Sequence, residues 1–284
     1  ETTEDFETVR KRKDGSEIYV SLRISPVRDS SGLLVGDSKI ARDITEAKRR
    51  DAELKRSNAE LEQFAYVASH DLQEPLRMVS NYTELLAKRY QGQLDDRADK
   101  YIHYAVDGAR RMQRLVADLL AYSRIGSQAK PLMTTDSRVV WEEVVKSLRP
   151  LIRESKATVQ LGELPVVSAD EGQLRQLFQN LLSNALKFRD EAPPEIKIQA
   201  VEEADQWTFS VQDNGIGIDP QYTERVFQMF QRLHPVGSFE GSGIGLCISK
   251  RIVERHSGRI WFEPAPEQGT IFYFTHPKVS NLTS

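Results

Sequence analysis

The chain has 284 residues, enough for about two domains with connectors. Charged residues make up 29% of it, but the net charge is only −3, so no nucleic-acid partner is expected from electrostatic capture. No run of about 20 apolar residues occurs, so no membrane segment is expected, and a single cysteine excludes an internal disulfide and argues against a zinc site.

The start, Glu1-Thr2-Thr3-Glu4-Asp5, has none of the character of a signal peptide. With the lone Cys247, this fits a reducing, cytoplasmic setting. Cys247 follows Leu246 in an apolar stretch and reads as a core residue rather than a reactive thiol.

Residues 8–45 read as strands. Ile18, Val20, Leu22 and Ile24 alternate at period two, and turn signals stand on either side at Lys13-Asp14-Gly15 and Asp29-Ser30-Ser31-Gly32. Three strands cannot bury both faces of a sheet, so this piece needs a partner or is a fragment. It resembles the C-terminal half of a PAS sensor domain in Arg12-Lys13-Asp14-Gly15, Ser25-Pro26-Val27-Arg28-Asp29, Gly32, Gly36 and Arg42-Asp43-Ile44-Thr45. The half-length sheet suggests that Glu1 is a trimmed start.

Residues 46–90 read as one long helix. Ile44, Asp51, Asn58, Ala65 and Leu72 share one heptad seam position, and Ala47, Leu54, Leu61 and Ala68 share the other. Its first part, 46–63, is a predicted coiled-coil linker. Asp51 and Asn58 are polar seam residues that either fix register, permit switching or are simply tolerated in a short coil. In this register His70 falls at the outermost position, since a helix turns about 100° per residue. It is expected to point into solvent beside Asp71, where an exposed imidazole next to a carboxylate is a usable nucleophile. Pro75 removes a backbone donor and should bend the helix just beyond.

Gln91-Gly92-Gln93 breaks the pattern, and a second helix is predicted from about Arg97 to Arg124, with Tyr101, Ala105, Gly108, Met112, Leu115, Leu119 and Tyr122 on one stripe. Two stripes make a thin core, so a homodimer with a four-helix bundle is the natural way to bury them. His103 on this helix reads as structural or solvated. A polar linker is expected over 126–136. The rest reads as helix 141–154, strand 158–161, helix 171–188, strands 195–201 and 207–212, helix 244–256 and strands 259–262 and 270–275. This alternation is not the regular repeat of a doubly wound sheet. The fold class is multidomain α+β: a partial β-sheet, a coiled-coil linker, a helical hairpin and a C-terminal α/β sandwich with helices on one face of a mixed sheet.

Neither common phosphate-binding glycine motif is present. Three other groups stand out. Asn180, Asn184 and Lys187 lie four and three apart, so they share a helical face, and two amides with an ammonium suit hydrated Mg²⁺ and phosphates. Asp213-Asn214-Gly215-Ile216-Gly217 follows a strand; its carboxylate can accept from an exocyclic amine, and Gly215 and Gly217 let backbone approach a flat ring. Gly241-Ser242-Gly243-Ile244-Gly245-Leu246 opens a helix, where bare amides form an anion site.

Each group alone is weak, but in this order and spacing they resemble the N-box, G1 and G2 motifs of the Bergerat ATP-binding fold. Phe227 and Phe230 match the F-box between them, residues 219–240 would be the ATP lid, and Gly269-Thr270-Ile271-Phe272 resembles the fold's last strand motif. Ser69-His70-Asp71-Leu72 with Pro75-Leu76-Arg77 resembles an H-box. A helical hairpin followed by a Bergerat domain is the plan of a sensor histidine kinase, and the wording from Phe64 to Leu76 is most similar to phytochrome-like kinases. The domains would then be 1–45, part of a PAS-like sensor; 46–63, coiled coil; 64–127, dimerisation and histidine phosphotransfer; and 134–284, catalytic ATP-binding.

The resemblance implies that ATP and Mg²⁺ bind with Asp213, Gly215, Gly217, Phe230 and Thr270 at the nucleotide. Asn184 holds the metal, Lys187 and the Gly241, Gly243, Gly245 and Leu246 backbone meet the phosphates, and Asn180 supports the cluster. The γ-phosphoryl would pass to His70, assisted by Asp71, and then to an aspartate on a response regulator receiver domain. Bifunctional members typically carry Thr or Asn four residues after the phosphorylated histidine; Glu74 stands there, which puts phosphatase activity in question. A Ser-His-Asp hydrolase fails, because neighbours on a helix do not face each other. A scaffold with a degenerate nucleotide site is opposed by the intact Asn184, Asp213, Gly215, Gly217, Gly243 and Gly245. A conformational ATPase is opposed by Asn180, whose amide is a poor general base.

Overall fold

A computed structural model describes residues 4–90, 92–127, 130–223, 225–231 and 242–278. The side chains of residues 4–5, 55, 58–59, 61–62, 64–66, 68–70 and 126–127 lie outside that description. The chain divides into two units, Glu1–Leu61 and Glu62–Ser284.

In the first unit, β1 (Glu4–Lys11), β2 (Glu17–Arg28) and β3 (Leu34–Asp43) form an antiparallel meander in chain order. Gly15 and Gly32, at φ 86° and 83°, close its two turns in a conformation that a β-carbon would strain. Among the described residues of this sheet Val20 alone is buried, as expected of three strands. The sheet is tied to the following helix through its last residues. Asp43 accepts from Thr45 N–H at 2.9 Å, Thr45 Oγ1 accepts from Tyr19 N–H at 2.9 Å, and Arg12 bridges to Asp43 at 2.8 Å.

That helix, α1 (Thr45–Tyr90), runs through Pro75 without interruption. The second, α2 (Asp96–Ser127), extends three residues beyond the predicted end, so the expected linker is shorter at its start. Arg110 Nε donates to Glu84 Oε1 at 2.9 Å across the hairpin, over buried Val106 and Ala109. Large apolar side chains nevertheless stay uncovered on both helices, including Leu72, Leu85, Leu86, Tyr101 and Met112. Among the described residues, no helix is long and apolar enough to cross a membrane.

The remainder of the second unit departs from expectation in three places. β4 (Met133–Asp136) pairs antiparallel with β6 (Val166–Ala169), a ladder of two four-residue strands that the sequence pattern does not predict. The predicted helix 141–154 is two helices, α3 (Ser137–Ser147) and α4 (Arg149–Ser155). Pro150 sits in the first turn of the second helix, where its missing N–H costs nothing. Asp136 moves the start of α3 forward by capping it, accepting from Arg138 N–H at 2.9 Å.

The predicted strand 158–161 is β5 (Thr158–Leu161). The long helix α5 (Glu171–Lys187) is capped by Asp170, which accepts from Gly172 N–H at 3.1 Å. β7 (Glu195–Glu202), β8 (Gln206–Gln212), α6 (Gly245–Arg255), β9 (Ile260–Pro264) and β10 (Thr270–Pro277) follow. The five-stranded sheet has the order β5-β7-β8-β10-β9, parallel only between β5 and β7. Its register aligns one face: Ile198 opposes Val211, Phe209 opposes Phe274 and Phe272 opposes Phe262. These residues are buried under α5 and α6, with Phe178 of α5 edge-on to Trp141 and 6.2 Å from Phe274. The helices cover one face of a mixed sheet, as the sequence predicts.

Candidate functional site

α5 carries the first motif on one side and the core on the other. Leu177, Leu181 and Leu182 are buried, and Asn180, Asn184 and Lys187 line a cavity of about 360 Å³. The same cavity is lined by Asp213 and Gly217 after β8, by Gly243, Gly245 and Leu246 at the start of α6, and by Thr270 of β10. Groups far apart in sequence therefore meet in one place.

Asn180 Nδ2 donates to the Gly245 carbonyl at 3.0 Å, joining the first and third groups. Gly243 has φ 77°, and Ile244 N–H donates to Ser242 Oγ at 3.2 Å, which shapes the turn into α6. The Lys187 ammonium lies 4.1 Å from the Phe188 ring centroid.

Asp213 is buried, and its Oδ1 accepts from Gly215 N–H at 2.9 Å and Thr270 N–H at 3.2 Å. Burial pushes its carboxyl up to about 6, against the pull of those two hydrogen bonds. Gly215 is required for close packing: a β-carbon there would stand 2.2 Å from the Phe188 carbonyl oxygen. Gly215 therefore shapes the wall from behind and is not among the lining residues.

One further residue differs from expectation. Phe230 is 56% exposed, at φ 60°, and is not among the cavity's lining residues, whereas Phe227 is buried in the core. Gly241 lies outside the described residues. His70 belongs to α1, but its side chain lies outside the described residues; the neighbouring Asp71 is exposed.

Two of the other histidines have partners that need no chemistry. His103 pairs with Asp107 at 3.3 Å, and His234 lies outside the described residues. His256 Nε2 accepts from Asp170 N–H at 3.1 Å. Cys247 is half-buried, and desolvation pushes its thiol up, which suits a packing role. Sequence reasoning misses Gln176, which lines the cavity one turn before Asn180 and is readable from spacing. It also misses Arg114 and Asp118 of α2, for which no local signal exists.

Residues 60–128 match the His Kinase A (phospho-acceptor) domain, and residues 169–280 match the Histidine kinase-, DNA gyrase B-, and HSP90-like ATPase domain. The chain belongs to the sensor histidine kinases. It is 51% identical to Cyanobacterial phytochrome A of Nostoc sp. over 79% of its length, and 47% identical to Phytochrome-like protein Cph1 of Synechocystis sp. over 84%. It spans only 29% and 32% of those relatives. Among solved structures, full-length ShkA in complex with AMPPNP matches 76% of this chain and 45% of its own, at 27% identity and a TM-score of 0.58. The histidine kinase ThkA, solved in complex with response regulator protein TrrA, shares the fold at 24% identity and a TM-score of 0.54 over 97% of this chain and 79% of its own.

Proposed function

We infer that this chain is the signalling output of a two-component sensor: an ATP-dependent protein-histidine kinase that autophosphorylates His70 and passes the phosphoryl group to an aspartate of a response regulator receiver domain. The observation that carries this reading is the cavity shared by Asn184, Lys187, Asp213 and the Gly243–Gly245 turn, in a chain whose residues 60–128 match a phospho-acceptor domain. The complexes of ShkA with AMPPNP and of ThkA with TrrA support the nucleotide and the partner.

In this reading Asp213, ionised, accepts from the adenine amine, and Gly217 and Thr270 border the ring. Gly215 holds the wall, Phe230 is the F-box position, and Leu246 and the backbone at Gly241, Gly243 and Gly245 serve the phosphates with Lys187. Asn184 would hold Mg²⁺, assisted by Asn180. An amide oxygen suits that role, because Mg²⁺ keeps several waters and takes its remaining ligands from phosphates. The metal would offset phosphate charge in the transfer.

Phosphoryl transfer asks mainly for in-line placement and charge neutralisation. The lone pair of a neutral His70 ring nitrogen forms the N–P bond as the bond from the γ-phosphorus to the β–γ bridging oxygen breaks, leaving ADP. The ring becomes cationic, and Asp71 stabilises that charge and fixes the tautomer beforehand. Glu74 stands where bifunctional members typically carry Thr or Asn, which leaves phosphatase activity in question.

We assign 1–45 to a PAS-like sensor end, 46–63 to a coiled coil, 64–127 to a dimerising phosphotransfer hairpin and 134–284 to the catalytic domain, acting in the cytoplasm where ATP is available. The uncovered Leu72, Leu85, Leu86 and Met112 support a homodimer with a four-helix bundle. Incubation with Mg²⁺ and γ-labelled ATP, beside His70→Gln, tests the reading. Acid-labile, base-stable label should appear in the parent and vanish in the variant; label that survives His70→Gln would overturn the assignment.

A further inference from the structure

The nucleotide cavity is not built by the ATP-binding domain alone. Arg114 and Asp118, one turn apart on the same side of α2, line it together with Asn180, Lys187 and Gly243. The helix is held there by packing further along. Ile125 is buried in the same core as α5 and α6, its carbonyl accepts from Gln173 Nε2 at 3.2 Å, and the Arg251 guanidinium of α6 stands 5.5 Å from the Tyr122 ring centroid. Farther on, Arg255 donates to the Lys130 carbonyl at 2.6 Å. The two segments therefore advance in the same direction. Tyr122 lies beside Arg251, and Arg114, two turns earlier on α2, lines the same cavity as Gly243, two turns before Arg251, where α6 presents its first amides.

That convergence has a chemical meaning. The adenine end of the cavity is marked by Asp213 and Thr270, and the phosphate end by the Gly243 turn. A guanidinium is the side chain best matched to phosphate oxygens, binding them through paired, charge-assisted hydrogen bonds. Asp118 is the opposing group: its carboxylate disfavours phosphates whose charge is not already offset.

We propose that Arg114 is a specificity-determining residue of the nucleotide site, in which the phosphotransfer hairpin supplies a guanidinium to the terminal phosphate and so makes the site prefer ATP over ADP. The proposal rests on the nucleotide reading given above. Its consequence is that transfer of the γ-phosphoryl group removes one of the ties between α2 and the ATP-binding domain, so spent nucleotide is held more weakly where the two pack.

The test compares AMPPNP and ADP binding, with Mg²⁺, by calorimetry on the full chain, for the parent, Arg114→Ala, Arg114→Lys and Asp118→Asn. Arg114 is exposed and its replacement leaves the buried face of α2 intact. Arg114→Ala should weaken AMPPNP by about tenfold and ADP by less than about twofold, which is the scale of one charge-assisted hydrogen-bonding group. Arg114→Lys should recover part of the loss, and Asp118→Asn should strengthen AMPPNP. Equal weakening of both nucleotides, or no change in either, overturns the proposal while leaving the kinase reading intact. A parent chain that binds neither nucleotide overturns both.

Discussion

Asn180 and Gly245, 65 positions apart in sequence, are joined by a 3.0 Å hydrogen bond from the asparagine Nδ2 to the glycine carbonyl. The bond ties the middle of α5 to the first turn of α6, so the amide face and the glycine turn keep their spacing. Ser249 Oγ reinforces it by donating to the same carbonyl at 3.1 Å. Asn180→Ala should therefore lower stability by about 1 kcal/mol, the net worth of one part-buried hydrogen bond. Denaturant titration without nucleotide measures that cost. Nucleotide affinity should fall by more than the loss of stability alone accounts for, because the turn is released.

Asp213 is expected to impose a pH dependence on nucleotide binding. Its carboxyl is pushed up to about 6 by burial, and the ionised form is the stronger acceptor for an amine, because protonation turns one oxygen into a donor. Affinity should be constant above about pH 7 and fall below about 6, by at most about tenfold per pH unit. Calorimetric titration of ADP from about pH 5 to about pH 8 checks this; a flat profile would place the adenine contact elsewhere.

The same residue has the opposite effect on the empty fold. A carboxyl whose folded pKa is raised favours folding below its unfolded value, and that contribution is lost as pH rises through about 6. Near neutral pH the ionised group is thus a burden, on the order of 3 kcal/mol. Asp213→Asn should raise Tm in the absence of nucleotide and lose the shift that ADP gives the parent, since an amide presents a donor to the adenine amine.

Two buried histidines set the acid limit. His256 and His276 lie 5.5 Å apart between ring centroids, and desolvation holds both below the usual imidazole value of 6.5. Neighbouring Arg255 adds to the effect at His256, while Asp170 opposes it. Among the described residues, His276 Nε2 is buried without a hydrogen-bond partner. Groups with depressed folded values contribute stability that is complete above about pH 6.5 and withdrawn as pH falls toward those values. With the opposing Asp213 carboxyl removed by Asp213→Asn, thermal denaturation from about pH 7.5 to about pH 5 should show falling stability, and adding His276→Leu should flatten the slope.

The two kinds of glycine in the site should separate cleanly. In Gly215→Ala the new β-carbon meets the Phe188 carbonyl oxygen at 2.2 Å, a backbone clash that should cost about 1–3 kcal/mol or prevent folding. In Gly245→Ala the nearest atoms belong to Asn180 at 3.8 Å, so the fold should survive unchanged. Circular dichroism and Tm distinguish the two outcomes.

Much of this protein is legible in local pattern. The heptad of α1, the stripe of α2, the face shared by Asn180, Asn184 and Lys187, and the glycine turns at Gly217 and Gly243 are all properties of residues within a few positions of one another. Periodicity and turn chemistry act at that range, so the sequence by itself determined the longer elements and which side chains are chemically able. Tertiary packing decided the rest. The β4–β6 ladder joins distant strands of four residues each, too short to show a period. The cap at Asp136 moved the start of α3, and Pro150 in the first turn of α4 marks where a helix that the apolar pattern drew as one is divided. Phe230 and Phe227 look alike in sequence, yet Phe227 is buried and Phe230 exposed, because only one of them faces the core. Arg114 comes to line the cavity only because Tyr122 and Ile125, two to three turns farther on, dock against α5 and α6. A side chain's chemistry is fixed when its codon is read, but its neighbours are chosen by burial and register summed over the whole fold.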